Sequence, residues 1–188
     1  MGDQSEAHAS GWIWFVGGPT ACGKTTIAKK LSESLNFTYI EGDDYHPKSN
    51  VDKMSNGTPL ADEDRKEWLQ HLHDECCRRL TQGDDHVAVT ASLLKRKYRD
   101  KVREVSRDSP HSQVRFLFLN APEEVLLQRA RGRHGHFAGA NLVHSQLEAL
   151  EDPGFDETDV IKMDASLSVD DLVGQATRAI NSIMKAHS

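Results

Sequence analysis

Short apolar runs alternate with longer amphipathic segments along this chain. The runs at 12–16, 37–40, 86–90, 114–119 and 160–163 have the length and the β-branched and aromatic content of buried strands. The segments between them carry apolar residues at helical spacing. Strands that alternate with helices in this way predict an α/β fold with a five-stranded parallel sheet flanked by helices on both faces.

The segments between the runs also contain signals for helix starts and breaks. Pro122 followed by two glutamates is typical of a first helical turn. Residues 131–140, rich in Gly and His, interrupt the helical pattern and predict a mobile lid. We interpret 1–11 as a disordered tail and 12–188 as a single domain. The predicted helices are one ending at Leu35 and others at 46–54, 62–80, 95–105, from Pro122, at 141–150 and at 169–184.

Residues 18–25 read GPTACGKT, a complete G-x-x-x-x-G-K-[ST] motif between a predicted strand and a predicted helix. The alternative is a Gly-rich surface turn, which the flanking elements disfavour. In such loops the backbone amides and the helix N-terminus attract phosphate, the lysine reaches the β- and γ-phosphates, and the hydroxyl ligates Mg²⁺. The predicted nucleotide-binding residues are Gly18, Pro19, Thr20, Ala21, Cys22, Gly23, Lys24, Thr25 and Thr26.

Composition narrows the class of protein. The net charge of −6 argues against general nucleic-acid binding, and no apolar run is long enough for a membrane span. Three cysteines, two of them adjacent, do not form a disulfide framework. They predict reduced thiols and a cytoplasmic location.

Several polar residues follow the predicted strands directly. Glu41 to Asp44, Thr90 to Ser92 and Asn120 all lie just past strand ends. Because ligands of parallel sheets bind outside the carboxyl ends of the strands, we expect these residues to converge beside the phosphate loop.

The predicted lid carries a cluster of basic residues. Arg129, Arg131 and Arg133 precede Gly135-His136-Phe137, on a segment that could close over ATP and stabilise developing charge. The alternative is a solvated basic stretch. The Asn-Lys-x-Asp run that specifies guanine in GTPases is absent from the sequence, so we interpret the protein as a small-molecule kinase, with Lys24, Arg129 and Arg133 as catalytic residues.

With these pieces placed, the chain resembles the gluconokinase family over nearly its whole length. The resemblance implies a P-loop kinase fold that uses ATP and Mg²⁺ to phosphorylate D-gluconate on its 6-hydroxyl, and it favours a homodimer, although the sequence leaves the oligomeric state open. The stretches that carry it are EGDDYHPKSNVDKMSNGTPLADEDRKEWL at 41–69, SLLKRKYRD at 92–100, GHF at 135–137 and QLEALEDPGFDETDV at 146–160.

The resemblance, together with the chemistry of the side chains, suggests roles for residues of the acidic segment. Asp43 is expected to orient the substrate hydroxyl or accept its proton, the alternative being a helix cap. Glu41 replaces the usual aspartate of the family and is expected to hold Mg²⁺-bound water, the alternative being a solvated strand end. Cys22 replaces a serine of the family's phosphate loop.

Further residues are expected to bind gluconate. His46 would bind sugar hydroxyls, and His136 is a further substrate-binding candidate. The carboxylate of gluconate requires a cation, for which Arg65, Lys95 and Arg99 are the candidates. Two rival functions remain open: a kinase similar to shikimate kinase, and a nucleotide-binding regulator without catalysis.

Overall fold

The computed structural model describes residues 11–56, 58–132 and 136–187, without the side chains of residues 136–139. Its centre is a parallel five-stranded sheet in the order β2-β3-β1-β4-β5, which confirms the predicted sheet. The strands are β1 (Gly11–Gly17), β2 (Thr38–Glu41), β3 (His86–Thr90), β4 (Ser112–Asn120) and β5 (Val160–Asp164).

Helices cover both faces of the sheet. None of those in the described part of the chain is long and apolar enough to cross a membrane. They are α1 (Lys24–Leu35), α2 (Lys48–Ser55), α3 (Asp62–Thr81), α4 (Arg96–Asp108), α5 (Glu123–Arg131), α6 (His136–Glu148) and α7 (Val169–Ala186), and a 3₁₀ helix spans Gly42–Tyr45.

The side chains of β1 alternate between two hydrophobic cores, as the two-residue period of a strand requires. Trp12, Trp14 and Val16 pack on the side of α1 and α7. Ile13 and Phe15 pack on the side of α3 and α4. Because both faces are covered, β1 is apolar throughout, which is typical of a central parallel strand.

The strand order also positions the site. From β1 the chain passes over β3 to form β2, and from β3 it passes back over β1 to form β4. The connections therefore leave in opposite directions at the carboxyl ends of β1 and β3, which is where open parallel sheets bind ligands.

Several predicted boundaries differ from the structure. Gly11, predicted to belong to the tail, is the first residue of β1, where its amide donates to the carbonyl of His111. Residues 1–10 lie outside the described part. The helix predicted at 141–150 begins earlier, at His136, and ends at Glu148. Residues 136–140 of the predicted lid are thus helical, because packing against α5 outweighs the low helix propensity of the Gly-rich sequence.

A buried ion pair fastens α4 to the segment that leads into β5. Both partners are deeply buried: the Arg99 side chain is 0% exposed and the Glu157 side chain is 2% exposed. Arg99 donates two hydrogen bonds to the carboxylate, at 2.8 and 2.7 Å, and Arg103 adds a third at 2.7 Å. These bonds hold the pKa of Glu157 at about 2, although burial opposes the shift.

We expect Glu157→Gln to destabilise the protein strongly, by about 3–5 kcal/mol, because the buried Arg99 charge would lose its partner. Asp156→Asn is the matched control: this neighbouring carboxylate is 63% exposed, so its loss should have a much smaller effect on stability. Urea unfolding at pH 7 measures both variants. Equal losses in the two would contradict the assigned importance of the buried pair.

The same pair predicts an acid dependence. The pKa of Glu157 is lower in the folded protein than its unfolded value of about 4.3. The stabilisation is therefore complete above that value and is lost as the pH falls toward about 2. Glu157→Gln should remove this part of the pH dependence of unfolding.

Candidate active site

The phosphate loop, residues 18–23, turns sharply between β1 and α1. Gly18 has a φ of +132°, and a Cβ there would lie 2.1 Å from the carbonyl oxygen of Leu119, so only glycine fits. Gly23 precedes α1 with a φ of +101°. The loop therefore points the N-terminus of α1 at the crevice beyond the carboxyl ends of β1 and β3. This arrangement favours the binding of anions.

Within the loop, two groups predicted to bind nucleotide form hydrogen bonds with protein atoms. The Lys24 ammonium donates to the carbonyl oxygens of Gly18 and Pro19, at 3.0 and 2.9 Å. The Thr20 amide donates to the Gln146 side chain at 2.6 Å. Burial raises the pKa of the Cys22 thiol, despite the nearby Lys24, so this residue adds no charge beside the loop.

Glu41 lies at the centre of a cluster of hydroxyl groups at the end of β2. Its carboxylate accepts hydrogen bonds from Thr25 at 2.9 Å, from Tyr39 at 2.6 Å, and from Thr90. Burial alone would raise the pKa of Glu41, but the hydrogen bonds from Thr90, Tyr39 and Thr25 outweigh it and lower the pKa. Glu41 is therefore a fixed carboxylate in contact with the loop hydroxyl, not a solvated strand end.

The donor atoms around Thr25 and Glu41 are all oxygens, which suits Mg²⁺. Within the described ranges, no three or more His, Cys, Asp and Glu side chains are grouped to hold a metal ion. That scarcity of protein ligands is compatible with Mg²⁺, which in nucleotide sites keeps several waters and takes phosphate oxygens.

Asp43 lies in the 3₁₀ helix that follows Glu41, and its side chain is 81% exposed. Displacement of water by the surrounding protein raises its pKa, while Lys24 and Arg65 lower it and Glu41 raises it. The Asp43 carboxylate is therefore under the electrostatic influence of both Lys24 and Arg65.

His46 is held in one orientation at the floor of the same crevice. Its side chain is 4% exposed, and its ring stacks on Trp68 with 4.6 Å between the centroids and 9° between the planes. Asn50 donates to Nδ1 at 3.3 Å, so the proton of the neutral ring is on Nε2, which lies 4.0 Å from Asp43. Burial, and then the Arg65 charge, lower the pKa of His46 to about 4.

The three cation candidates occupy different environments. Arg65 is half-buried, lies 5.6 Å over the Tyr98 ring and forms no ion pair with the described residues. Lys95 is paired with Asp62 at 2.8 Å. Arg99 is buried away from the crevice, where it bonds Glu157 and the carbonyl oxygens of Leu93 and Leu94. The assignment of Arg99 to substrate binding is therefore wrong.

A cavity of about 150 Å³ opens on the other side of the phosphate loop. Arg129 forms part of its wall and donates to the carbonyl oxygen of Ala165 at 2.7 Å. Arg133 and the side chain of His136, both predicted site residues, lie outside the described part. The cavity is lined by Ala21, Cys22, Gly23, Thr26, Ile27, Arg129, Ala165, Leu167, Val169 and Leu172.

Sequence reasoning missed several residues of the site. Tyr39 had a signal, because it lies two positions before Glu41 on a strand and so shares its face. Thr90 was expected at the sheet edge, but its bond to Glu41 was not. The contribution of Gln146 to the phosphate loop had no sequence signal, since 126 residues separate it from Thr20.

We expect His46 to remain neutral, with its proton on Nε2, down to about pH 5, because its pKa in the folded protein is about 4. The long-range ¹H–¹⁵N NMR spectrum of the imidazoles measures this, with His46→Gln used for assignment. Since the unfolded value is about 6.5, His46 should reduce stability as the pH falls from there toward 4. A His46 titration near pH 6.5 would contradict the buried, stacked arrangement.

Comparison with known proteins places this geometry in a family. A family model described as an AAA domain matches residues 13–153. A probable gluconokinase of Schizosaccharomyces pombe is 46% identical over 80% of this chain and 78% of its own length. The thermosensitive gluconokinase of Escherichia coli is 38% identical, with coverages of 93% and 90%.

A solved structure agrees with these relatives. The crystal structure of a gluconokinase from Sinorhizobium meliloti superposes with a TM-score of 0.81 at 34% identity, covering 94% of this chain and 95% of that one. The chain therefore belongs to the gluconokinase family.

Proposed function

We propose that this protein transfers the γ-phosphoryl group of ATP to the 6-hydroxyl of D-gluconate. The observation that carries the proposal is the position of Asp43. Its carboxylate lies 4.0 Å from Nε2 of His46, and it follows closely after Glu41, which is bonded to Thr25 at the start of α1. Arg65 forms no ion pair with the described residues. Such a crevice offers one end to a phosphoryl donor and the other to an acidic acceptor. The similarity to named gluconokinases supports gluconate as that acceptor.

ATP would bind across the phosphate loop. Its phosphates fit the N-terminus of α1 and the loop amides, and Lys24 would exchange its two loop carbonyls for β- and γ-phosphate oxygens. The base would occupy the cavity beside Arg129. Thr25 and Glu41 would hold Mg²⁺ and its bound water. The ion would neutralise part of the negative charge on the phosphates.

Gluconate would bind beside the acidic segment. Asp43 accepts a hydrogen bond from the 6-hydroxyl and aligns it for in-line attack, taking the proton late in the reaction. His46 donates from Nε2 to a hydroxyl of the chain. Arg65 binds the carboxylate, because Lys95 is already neutralised by Asp62.

The lid at 131–140 belongs to this proposal as well. Arg129 stands at the end of α5 and would contribute positive charge near the nucleotide, while closure of the lid would exclude water from the γ-phosphate. We also propose a cytoplasmic homodimer. The free state of all three cysteines is compatible with a reducing compartment.

An ADP-release assay tests the proposal directly. We expect turnover with D-gluconate and not with shikimate or nucleoside monophosphates. In Asp43→Asn, kcat should fall by about 10²-fold or more, since a positioned acid–base group contributes that much. ATP affinity, measured by calorimetry, should be almost unchanged because the loop holds the phosphates.

Asp44→Asn is the matched control, because Asp44 is an equally exposed neighbour in the same 3₁₀ helix. Its kcat should stay close to that of the wild type. Turnover of shikimate would favour the rival kinase, and tight ATP binding without any accepted substrate would favour the non-catalytic regulator. Loss of ATP affinity in Asp43→Asn would make Asp43 a metal ligand.

A second prediction concerns selection of the acceptor. Arg65→Gln should raise the KM for gluconate by about 10- to 100-fold, the loss expected when a charge-assisted hydrogen bond is removed. The rate of this variant with D-glucitol, which has a hydroxymethyl group in place of the carboxylate, should change little. The ratio of kcat/KM values for the two compounds therefore measures the contribution of Arg65.

Lys66→Gln provides the control for charge alone. Lys66 follows Arg65 in α3 but is 71% exposed and paired with Glu63. If Lys66→Gln and Arg65→Gln reduced the preference for gluconate equally, general attraction would explain it and the assigned contact would be wrong.

A further inference from the structure

A single hydrogen bond connects the phosphate loop to a helix far away in the sequence. The backbone amide of Thr20 donates to Oε1 of Gln146 at 2.6 Å, across 126 residues of chain. Among the described residues, no other hydrogen bond links residues 18–23 to α6. The first half of the loop therefore depends on this side chain for its connection to α6.

The Gln146 side chain is held on the inner face of its helix. Val143 lies three positions before it, which places both on the same side of α6. Leu147 follows Gln146 directly. Val143 is completely buried in the core beside α1 and α7, and Leu147 packs against that core. This anchoring fixes where the Gln146 amide can reach.

The chain on either side of Gln146 leads to the other parts of the site. α6 also packs against α5, which carries Arg129. Beyond the C-terminus of α6, the backbone amide of Glu151 donates to the carbonyl oxygen of Leu94 at 2.9 Å. The Glu151 carboxylate accepts a hydrogen bond from the backbone amide of Arg96, the first residue of α4, at 2.7 Å. Gln146 in α6 and Glu151 just beyond it thus contact the phosphate loop and the loop after β3, respectively.

We propose that Gln146 is a positioning residue for phosphoryl transfer, which couples the phosphate loop to α6. The proposal rests on the proposed kinase function. A shift of α6 moves the acceptor of the Thr20 amide, and a change in the loop on nucleotide binding is carried back to α6. Alignment of the loop is therefore linked to the position of α6.

The chemistry of glutamine suits this task. Its amide oxygen accepts the Thr20 hydrogen bond without placing a negative charge beside a loop that binds phosphates. Leucine has a similar size but no acceptor, and it would leave the partly buried Thr20 amide unpaired. Glutamate keeps the acceptor and adds a charge. The two substitutions therefore separate the hydrogen bond from the electrostatics.

Kinetics of the two variants test the proposal. In Gln146→Leu, kcat with gluconate should fall by about tenfold or more, while the Kd of an ATP analogue changes by less than about threefold, since misalignment affects the reaction more than binding. In Gln146→Glu, kcat should stay within about threefold of the wild type and the KM for ATP should rise. Gln128→Leu, on the exposed side of α5, is the matched control and should leave both constants unchanged.

Hydrogen exchange tests the coupling without using gluconate. A non-hydrolysable ATP analogue should slow exchange in α6 of the wild type and of Gln146→Glu, and should have little effect there in Gln146→Leu. Equal protection of α6 in all three proteins, or a wild-type kcat in Gln146→Leu, would overturn the proposal. Absence of gluconate turnover in the wild type would refute the proposed function instead, and the exchange result would still decide the coupling.

Discussion

The close contact between Gly42 and the end of β3 is the constraint on which one half of the proposed site depends. This acceptor half comprises Gly42, Asp43 and His46. A Cβ at position 42 would lie 1.9 Å from the carbonyl oxygen of Thr90, so the chain can pass there only as glycine. The Gly42 amide donates to the Thr90 hydroxyl at 3.1 Å, and its carbonyl oxygen accepts from the Trp68 indole at 2.8 Å. Through these two bonds, Gly42 fixes the preceding residue, Glu41, and also the Trp68 ring on which His46 stacks.

The distribution of charge around this junction supports the proposed binding of an acidic ligand in the crevice. Most basic side chains near it are already neutralised, as Lys95 is by Asp62 and Lys53 by Asp64. Arg65 differs, because it rests on the face of Tyr98 and forms no ion pair with the described residues. Since the protein as a whole has a net charge of −6, one uncommitted guanidinium gives the crevice a local preference that composition does not reveal.

The sequence was sufficient to predict features that depend on local patterns. The alternation of apolar runs with amphipathic segments predicted the parallel sheet, and the G-x-x-x-x-G-K-[ST] spacing predicted the loop and its helix. It was insufficient where packing between distant residues decides. Arg65 and Arg99 were equivalent candidates, and only the position of Glu157, 58 residues beyond Arg99, makes the second arginine structural. Likewise, the Gly-rich lid sequence concealed the start of α6, because helix formation there depends on contact with α5.

The two halves of the site are stabilised by different means, and this difference has a consequence for catalysis. The acceptor half of the proposed site is held in place before any ligand binds, since ring stacking fixes His46 and a close backbone contact fixes Gly42. In the donor half, the lysine donates instead to the loop's own carbonyl oxygens, and in the proposed function phosphate would replace these bonds. Rearrangement on nucleotide binding is therefore confined to the loop and to the elements bonded to it. A prepared acceptor half keeps the alignment of the hydroxyl independent of that rearrangement, which lowers the entropic cost of reaching the transition state.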